Sequence, residues 1–490
     1  MNKTEQKPTG GAEPVLGLVP IGKFCFSHED ALRQKTLVEE LLQNQAIPYI
    51  SVDPVVSDGI VRSDTDARAV IDYLQSLPSG QQPDGLFMPH CNFGTETAVG
   101  AIGRAMGLPV LLWGPRDGQP LQDGSRLRDS LCGILASSKV LQNNRVPFTY
   151  IENCDTDEPL FPQALDCFLQ VLNAVKRFRS GMRIGLVGGR LPFFQCTMIN
   201  EAELLERFGI TVVPVNLLRV IDATMRNEKS NQHAYNTEVQ SLAETLDLSE
   251  MTTEGMCRVL AFRDALLDVS REDALDALTV ENIIELTQHM KVHLVFALAE
   301  LTDRGIPAVI ESDVHGAISS LVLQAINRGR SAGFFMDLTV RHPQHEQGVL
   351  LWHNSAPLSL RDTEYYAGQP DAADSFADRP RRVASIGRHW TMPGISPGVC
   401  NWKLKEGPVT VARFERSESG YMLLGFDAQS IDGPFNRNNY LWINTQNWRA
   451  LERKIVEGPY LHHVSCIYGR NAAALEELCK YIPGLQFDRY

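Results

Sequence analysis

VLGLVPIG (15–22), HEDALRQKTLVEELLQN (28–44), IPYISVD (47–53) and DARAVIDYLQSL (66–77) open an alternation that decides the fold class. Short apolar runs bounded by Gly and Pro read as buried strands, and the polar-apolar stretches between them repeat at helical spacing. GLFMPH (85–90), LPVLLWG (108–114) and FTYIE (148–152) extend the rhythm to about Val175. Strand and helix in strict turn predict a parallel sheet wound with helices, because parallel neighbours need a crossover. The first α/β domain is therefore expected over residues 1–180.

A second unit of the same kind begins at RIGLVGGR (183–190) and continues through INEAELLERFG (199–209) and ITVVPVNL (210–217). Helical periodicity dominates residues 227–304. Strand–helix–strand then returns as IPAVIESD (306–313), HGAISSLVLQAINRG (315–329) and SAGFFMDLTV (331–340), which completes a second α/β domain over 181–362. EYYAGQPDAADSFADRPRR (364–382) reads as an exposed loop. Beyond it VASIGRHW, GPVTVARFER, GYMLLGFDA and NYLWINT follow one another without helices, which predicts a small antiparallel sheet or barrel in a β-rich domain over 363–490.

At 490 residues the chain exceeds what one core supports. A net charge of −13, with no basic run, argues against nucleic acid, since phosphate binding needs concentrated Lys and Arg. The polar N-terminus MNKTEQKPTGGAEP has no apolar core of the signal-peptide kind, and no apolar run is long enough for a membrane helix. Ten cysteines stand singly without a CxxC pair. Reduced thiols and a cytoplasmic location are the expectation.

Metal-type residues recur in the second half. Glu311 closes IPAVIE, Asp337 follows SAGFFM, His353 follows GVLLW, and His462 and His463 open HHVSCIYG. Ligands of open α/β sheets collect at the carboxyl ends of strands, where both acids are expected. A lone acid there is commonly a helix cap, and Asp313 fits that role before HGAISSLVLQAINRG. Glu311 is left without such a role, and a half-buried carboxylate needs a partner. A lone His in an apolar run is more often a core residue than a ligand. Carboxylates with imidazoles and no thiolate suit Mn²⁺ or Mg²⁺ better than a structural Zn²⁺. GLVGGR lacks the full dinucleotide spacing, and adjacent positions in PHCNFGTE point to different faces of a strand, so neither is read as a site.

Taken in order, IPAVIESDVHGAISSLVLQ, FFMDLTV, LLWHNSAP, GPVTVARFER and HHVSCIYG resemble the L-fucose isomerase / L-arabinose isomerase superfamily of metal-dependent ketol isomerases. The resemblance implies two open-sheet α/β domains followed by a C-terminal domain containing a small antiparallel β-barrel. It implies Glu311 and Asp337 as metal-binding and proton-transferring carboxylates and His463 as the C-terminal ligand. His353 corresponds to a fourth ligand of the arabinose branch that the fucose branch lacks, and Ser355 and Arg190 fall near sugar-contacting positions. The implied cofactor is Mn²⁺, with Mg²⁺ or Co²⁺ as substitutes. The implied assembly is a homo-oligomer, trimer or hexamer, whose sites a neighbour's N-terminal domain completes. His462 departs from the fucose branch, which has Asn before its ligand histidine. The expected activity is interconversion of a pentose or 6-deoxyhexose-like aldose and its ketose through a cis-enediol, with neither nucleic acid nor membrane as partner. The alternative is an intracellular sugar sensor of the same fold without turnover.

Overall fold

A computed structural model describes residues 13–281, 285–367, 383–390, 392, 394 and 396–490. The polar stretch 1–12 and most of the expected loop, 368–382, lie outside the described residues. The chain forms two compact units, 11–176 and 177–490.

In the first unit five strands, β1 (Leu16–Leu18), β2 (Tyr49–Ser51), β3 (Gly85–Pro89), β4 (Val110–Trp113) and β5 (Phe148–Tyr150), form a parallel sheet in the order β2-β1-β3-β4-β5. β3 and β4 are buried along their whole length, as central strands covered on both faces must be. Helices supply the crossovers, and their ends are set locally. Ser63 and Asp66 close a reciprocal capping box at the start of the helix Asp64–Ser76. The PHCNFGTE segment follows β3. Its Cys91 is buried with its thiol pushed up to about 12, so burial withholds any thiolate.

The second unit starts with another parallel sheet, ordered β7-β6-β8-β9, from β6 (Arg183–Val187), β7 (Thr211–Val215), β8 (Ala277–Val280) and β9 (Ala308–Ile310). The glycine turn after β6 binds an acid of the chain itself: Gly189 N–H donates to Glu281 Oε2 at 2.7 Å.

The same unit then builds a barrel. β10 (Gly333–Arg341), β11 (Gly348–His353), β14 (Pro408–Ser417), β15 (Gly420–Ser430), β16 (Asn439–Asn444) and β17 (His463–Tyr468) pair antiparallel in the order β14-β17-β10-β11-β16-β15, and β14 pairs with β15 to close the ring. β18 (Leu485–Arg489) adds to β15 in parallel, and a short ladder joins β12 (Ser385–Gly387) to β13 (Val399–Asn401). The architecture is therefore α/β with open parallel sheets and a small antiparallel barrel. Two barrel strands, β10 and β11, precede residue 362. Asp337 consequently lies inside an antiparallel barrel strand, where sequence placed it at the end of an open-sheet strand. The reason is that β10 finds its partners in β11 and β17, not in β9.

The helix Val314–Ile326 packs against barrel strands β14 and β17 and sheet strand β8. It is buried on nearly every side, which explains why HGAISSLVLQAI shows no polar face. No described helix is long and apolar enough to cross a membrane, and all ten cysteines are free of disulfides.

Candidate functional site

Glu311 and Ser312 follow β9 with φ of 70° and 57°. Two consecutive non-glycine residues in the left-handed region carry a local cost of order 1–3 kcal/mol each, and such strain persists only where the surroundings hold it. Ser312 is held by its hydroxyl, which donates to the Gly189 carbonyl at 2.6 Å. The turn directs the Glu311 carboxylate toward the barrel, where its Oε2 lies 3.0 Å from His463 Nε2.

The barrel register brings the other donors. Asp337 on β10 pairs directly with His463 on β17, and residues directly opposite share a face. Asp337 Oδ1 stands 3.7 Å from His463 Nε2 and 3.9 Å from His353 Nε2. Phe335 seats both imidazoles, with ring centroids 5.5 Å from His353 and 5.1 Å from His463.

Three of these atoms, Asp337 Oδ1, His353 Nε2 and His463 Nε2, are buried and have no hydrogen-bond partner among the described residues. The close approach of His463 to Glu311 is not aligned as a hydrogen bond. Burying polar atoms unpaired is costly, and donors that converge without bonding one another are what a cation would satisfy. Oxygen and imidazole donors without thiolate fit Mn²⁺, Mg²⁺ or Co²⁺. His462 also offers a nitrogen: one donor atom each of Asp337, His462 and His463 lie within 4.8 Å of one another. Its ring is exposed and abuts that of His463 at 4.3 Å.

His463 is oriented from behind. Its Nδ1–H donates to Asp313 Oδ2 at 3.0 Å, which turns Nε2 toward Glu311 and Asp337. Asp313 caps the buried helix, accepting from Gly316 N–H at 2.9 Å, and also receives both terminal nitrogens of Arg413 at 2.5 and 3.1 Å. Arg413 in turn holds Glu415, which contacts His315 Nδ1 at 2.6 Å. Burial opposes charge on Asp313, but Arg413 and His463 more than offset it and hold the carboxyl far below its usual range. Burial likewise would lower His463, yet Asp313 and Glu311 lift it to about 10. Glu311 itself is lowered despite its burial, by His463 and His353. Excess negative charge surrounds the His463 Nε2 position, which favours a cation there.

His353 is less determined. Its Nδ1 accepts from Asn354 N–H at 2.9 Å and also faces Asn354 Oδ1 at 3.0 Å. The two contacts call for opposite tautomers, and only the one with the proton on Nδ1 leaves Nε2 free to coordinate.

Glu311, Asp337 and His353 border a cavity of about 440 Å³, walled by Trp352, Trp390 and Leu350 as well as by the polar His293, Asn354 and His389. Ser355 lines a separate, narrower cavity with Ser320 and Gln324. Arg190 is exposed and spends its guanidinium on the carbonyls of Leu191 and Phe194 at 3.0 and 3.1 Å. Sequence reasoning missed Arg413, Glu415, His293 and His389. For the first two the signal was present as opposite charges two residues apart in a strand-like run, hence on one face.

A family model described as the fucose/sulfoquinovose isomerase N-terminal domain matches residues 17–179. A sulfoquinovose isomerase of Alkalicoccus urumqiensis is 27% identical over 469 residues, which covers 94% of this chain and 96% of that protein. One from Priestia aryabhattai is 24% identical over 465 residues, with 94% and 96% covered. End-to-end similarity to these relatives, the N-terminal match and a barrel fused to open parallel sheets agree with one another. The chain is thus similar over nearly its whole length to sulfoquinovose isomerases, and its residues 17–179 match the N-terminal domain model of the fucose/sulfoquinovose isomerases.

Proposed function

We propose that the protein is a divalent-metal-dependent aldose–ketose isomerase acting on a six-carbon sugar altered at C6, with sulfoquinovose as the first candidate. The reading rests above all on the convergence of Asp337 Oδ1, His353 Nε2 and His463 Nε2, buried and unpaired, beside Glu311, with Glu311, Asp337 and His353 lining one cavity. Similarity to the sulfoquinovose isomerases supports the sugar, which is a 6-deoxyhexose bearing a sulfonate.

Glu311, Asp337 and His463 would hold the ion, with His353 as a fourth ligand in one tautomer. When bound, a divalent cation polarises the sugar carbonyl and stabilises the negative charge of the developing enediolate. Glu311 and Asp337 together supply the proton traffic: one carboxylate takes the proton from C2 and delivers it to C1, and the other moves the hydroxyl proton between the two oxygens. Two acids are required because the carbon and oxygen protons leave from different positions. His463 contributes fixed orientation, since Asp313 holds its ring and Arg413 keeps Asp313 ionised. Trp352 and Trp390 would cover the apolar face of the sugar and exclude water.

The test is to strip metal from the purified full-length chain, restore Mn²⁺, Mg²⁺ or Co²⁺ singly, and assay sulfoquinovose beside pentoses and 6-deoxyhexoses. Conversion of sulfoquinovose, with solvent deuterium entering at C1 or C2, is expected. Tight sugar binding in chelator without turnover would instead identify a sensor. Turnover of no sugar with any ion would overturn the isomerase reading.

A further inference from the structure

The cavity wall contains a histidine that the proposed chemistry leaves unused. His293 is 1% exposed, lines the cavity, and its Nδ1 has no hydrogen-bond partner among the described residues. Its placement is built rather than incidental. His293 N–H donates to the Pro397 carbonyl at 2.9 Å, and Gly398, at φ 141°, passes so close that a Cβ there would lie 2.0 Å from the His293 carbonyl oxygen. Only glycine lets that segment clamp the His293 backbone.

His389 lines the same wall, with its ring edge-on to Trp352 at 5.9 Å. Burial drives His293 down to about 3 and His389 to about 4, and each is lowered further by neighbouring histidines against the opposing pull of Glu311. Both imidazoles are therefore uncharged at neutral pH. No Lys or Arg is among the described residues lining this cavity. A neutral imidazole with a spare nitrogen offers one directional hydrogen bond, which matches a hydroxyl better than it matches a sulfonate.

We infer that His293 is a specificity-determining residue whose unpartnered ring nitrogen hydrogen-bonds one hydroxyl of the bound sugar, and that this wall reads the hydroxylated carbons rather than the charged end. The inference rests on the proposed sugar-isomerase reading. The physical argument is that a buried site atom left unpaired when the hydroxyl is missing costs the complex its desolvation.

The experiment compares metal-loaded wild type with His293→Phe, which keeps ring volume without nitrogens, and His293→Asn, whose amide reaches the place of Nδ1. Turnover and calorimetric binding are measured with sulfoquinovose and with its 3-deoxy and 4-deoxy derivatives, alongside metal content and thermal melting. His293→Phe is expected to lower kcat/KM for sulfoquinovose about 10- to 100-fold, mainly through KM, with metal content unchanged. His293→Asn should recover most of that loss. On one deoxy derivative wild type and His293→Phe should become equal. A loss of the same size on every derivative, a parallel loss of metal, or no loss at all overturns the inference. If wild type binds sugar but turns nothing over, the isomerase reading fails while binding still decides the role of His293. If wild type neither binds nor converts these sugars, both fall. Should His293→Phe fail to fold, His293→Leu, which also removes both ring nitrogens, is carried through the same deoxy comparison and decides in the same way.

Discussion

His463 donates its Nδ1 proton to Asp313, a residue 150 positions earlier, across 3.0 Å of fully buried space. This one bond fixes which nitrogen of His463 faces Glu311 and Asp337. It also joins the capped start of a helix to a barrel strand.

Asp313→Asn removes the acceptor charge, so His463 loses its fixed tautomer and Arg413 keeps only Glu415. Metal affinity should fall about 10- to 100-fold, the usual cost of losing such a partner. Stability should fall by about 3–5 kcal/mol, because a buried cation loses half its compensation. Metal titration and chemical denaturation measure the two losses. An unchanged affinity would show that His463 needs no support from Asp313.

Glu311→Gly should trade function for stability. Glycine adopts φ near +70° without cost, and strain of order 1–3 kcal/mol outweighs the ~0.5–1 kcal/mol entropic cost of an added glycine. Compared in chelator, the variant should melt a few degrees above wild type and show no turnover. A lower melting point would mean that the left-handed turn is not strained.

Chelation should destabilise the barrel-containing unit. An ion present at a hundred times its dissociation constant adds about 2.7 kcal/mol if it binds only the folded chain. Melting with and without excess Mn²⁺ should differ for wild type and coincide for Asp337→Asn with Glu311→Gln. An equal shift in that double variant would place the ion elsewhere.

Acid should weaken the first unit through Asp30. Burial opposes its charge, but Arg33 at 2.8 Å and Arg128 at 2.6 Å hold its carboxyl below the ordinary value. A depressed folded-state pKa gives stability that is complete above the unfolded pKa near ~3.9 and is lost as pH falls through the folded value. Asp30→Asn should therefore lose stability at pH 7 and show a flatter decline below pH ~4 than wild type. Parallel acid limbs in the two proteins would remove Asp30 as the cause.

Residue type and local pattern draw out Glu311, Asp337, His353, His462 and His463 together, because acids and imidazoles inside apolar runs stand out, while the preference for His463 over His462 comes from the family resemblance. Asp313 reads as a helix cap, which it is, but its second bond spans 150 residues and leaves no local trace. The same holds for His293, which in sequence is one histidine before an apolar helix. The alternation of the late strands indicates an antiparallel sheet. Yet nothing in it says that β10 leaves the preceding open sheet to pair with β17, and that pairing is what brings Asp337 to His463. Register is a property of two strands together, so one strand's sequence under-determines it.

Asp337 and His463 face each other across adjacent barrel strands, so their separation is inherited from the ladder spacing of a closed ring, roughly 4.5–5.5 Å. That gauge does not depend on the cavity wall, whose His293, His389 and Trp390 lie on connecting segments outside the barrel strands. Lineages of this fold can therefore redraw the wall for a new sugar while the spacing of the two donors stays as it was. A single-residue insertion in β10 or β17 has the opposite character. It would turn one of the two donors to the other face of the ring, and no change in the wall could restore it.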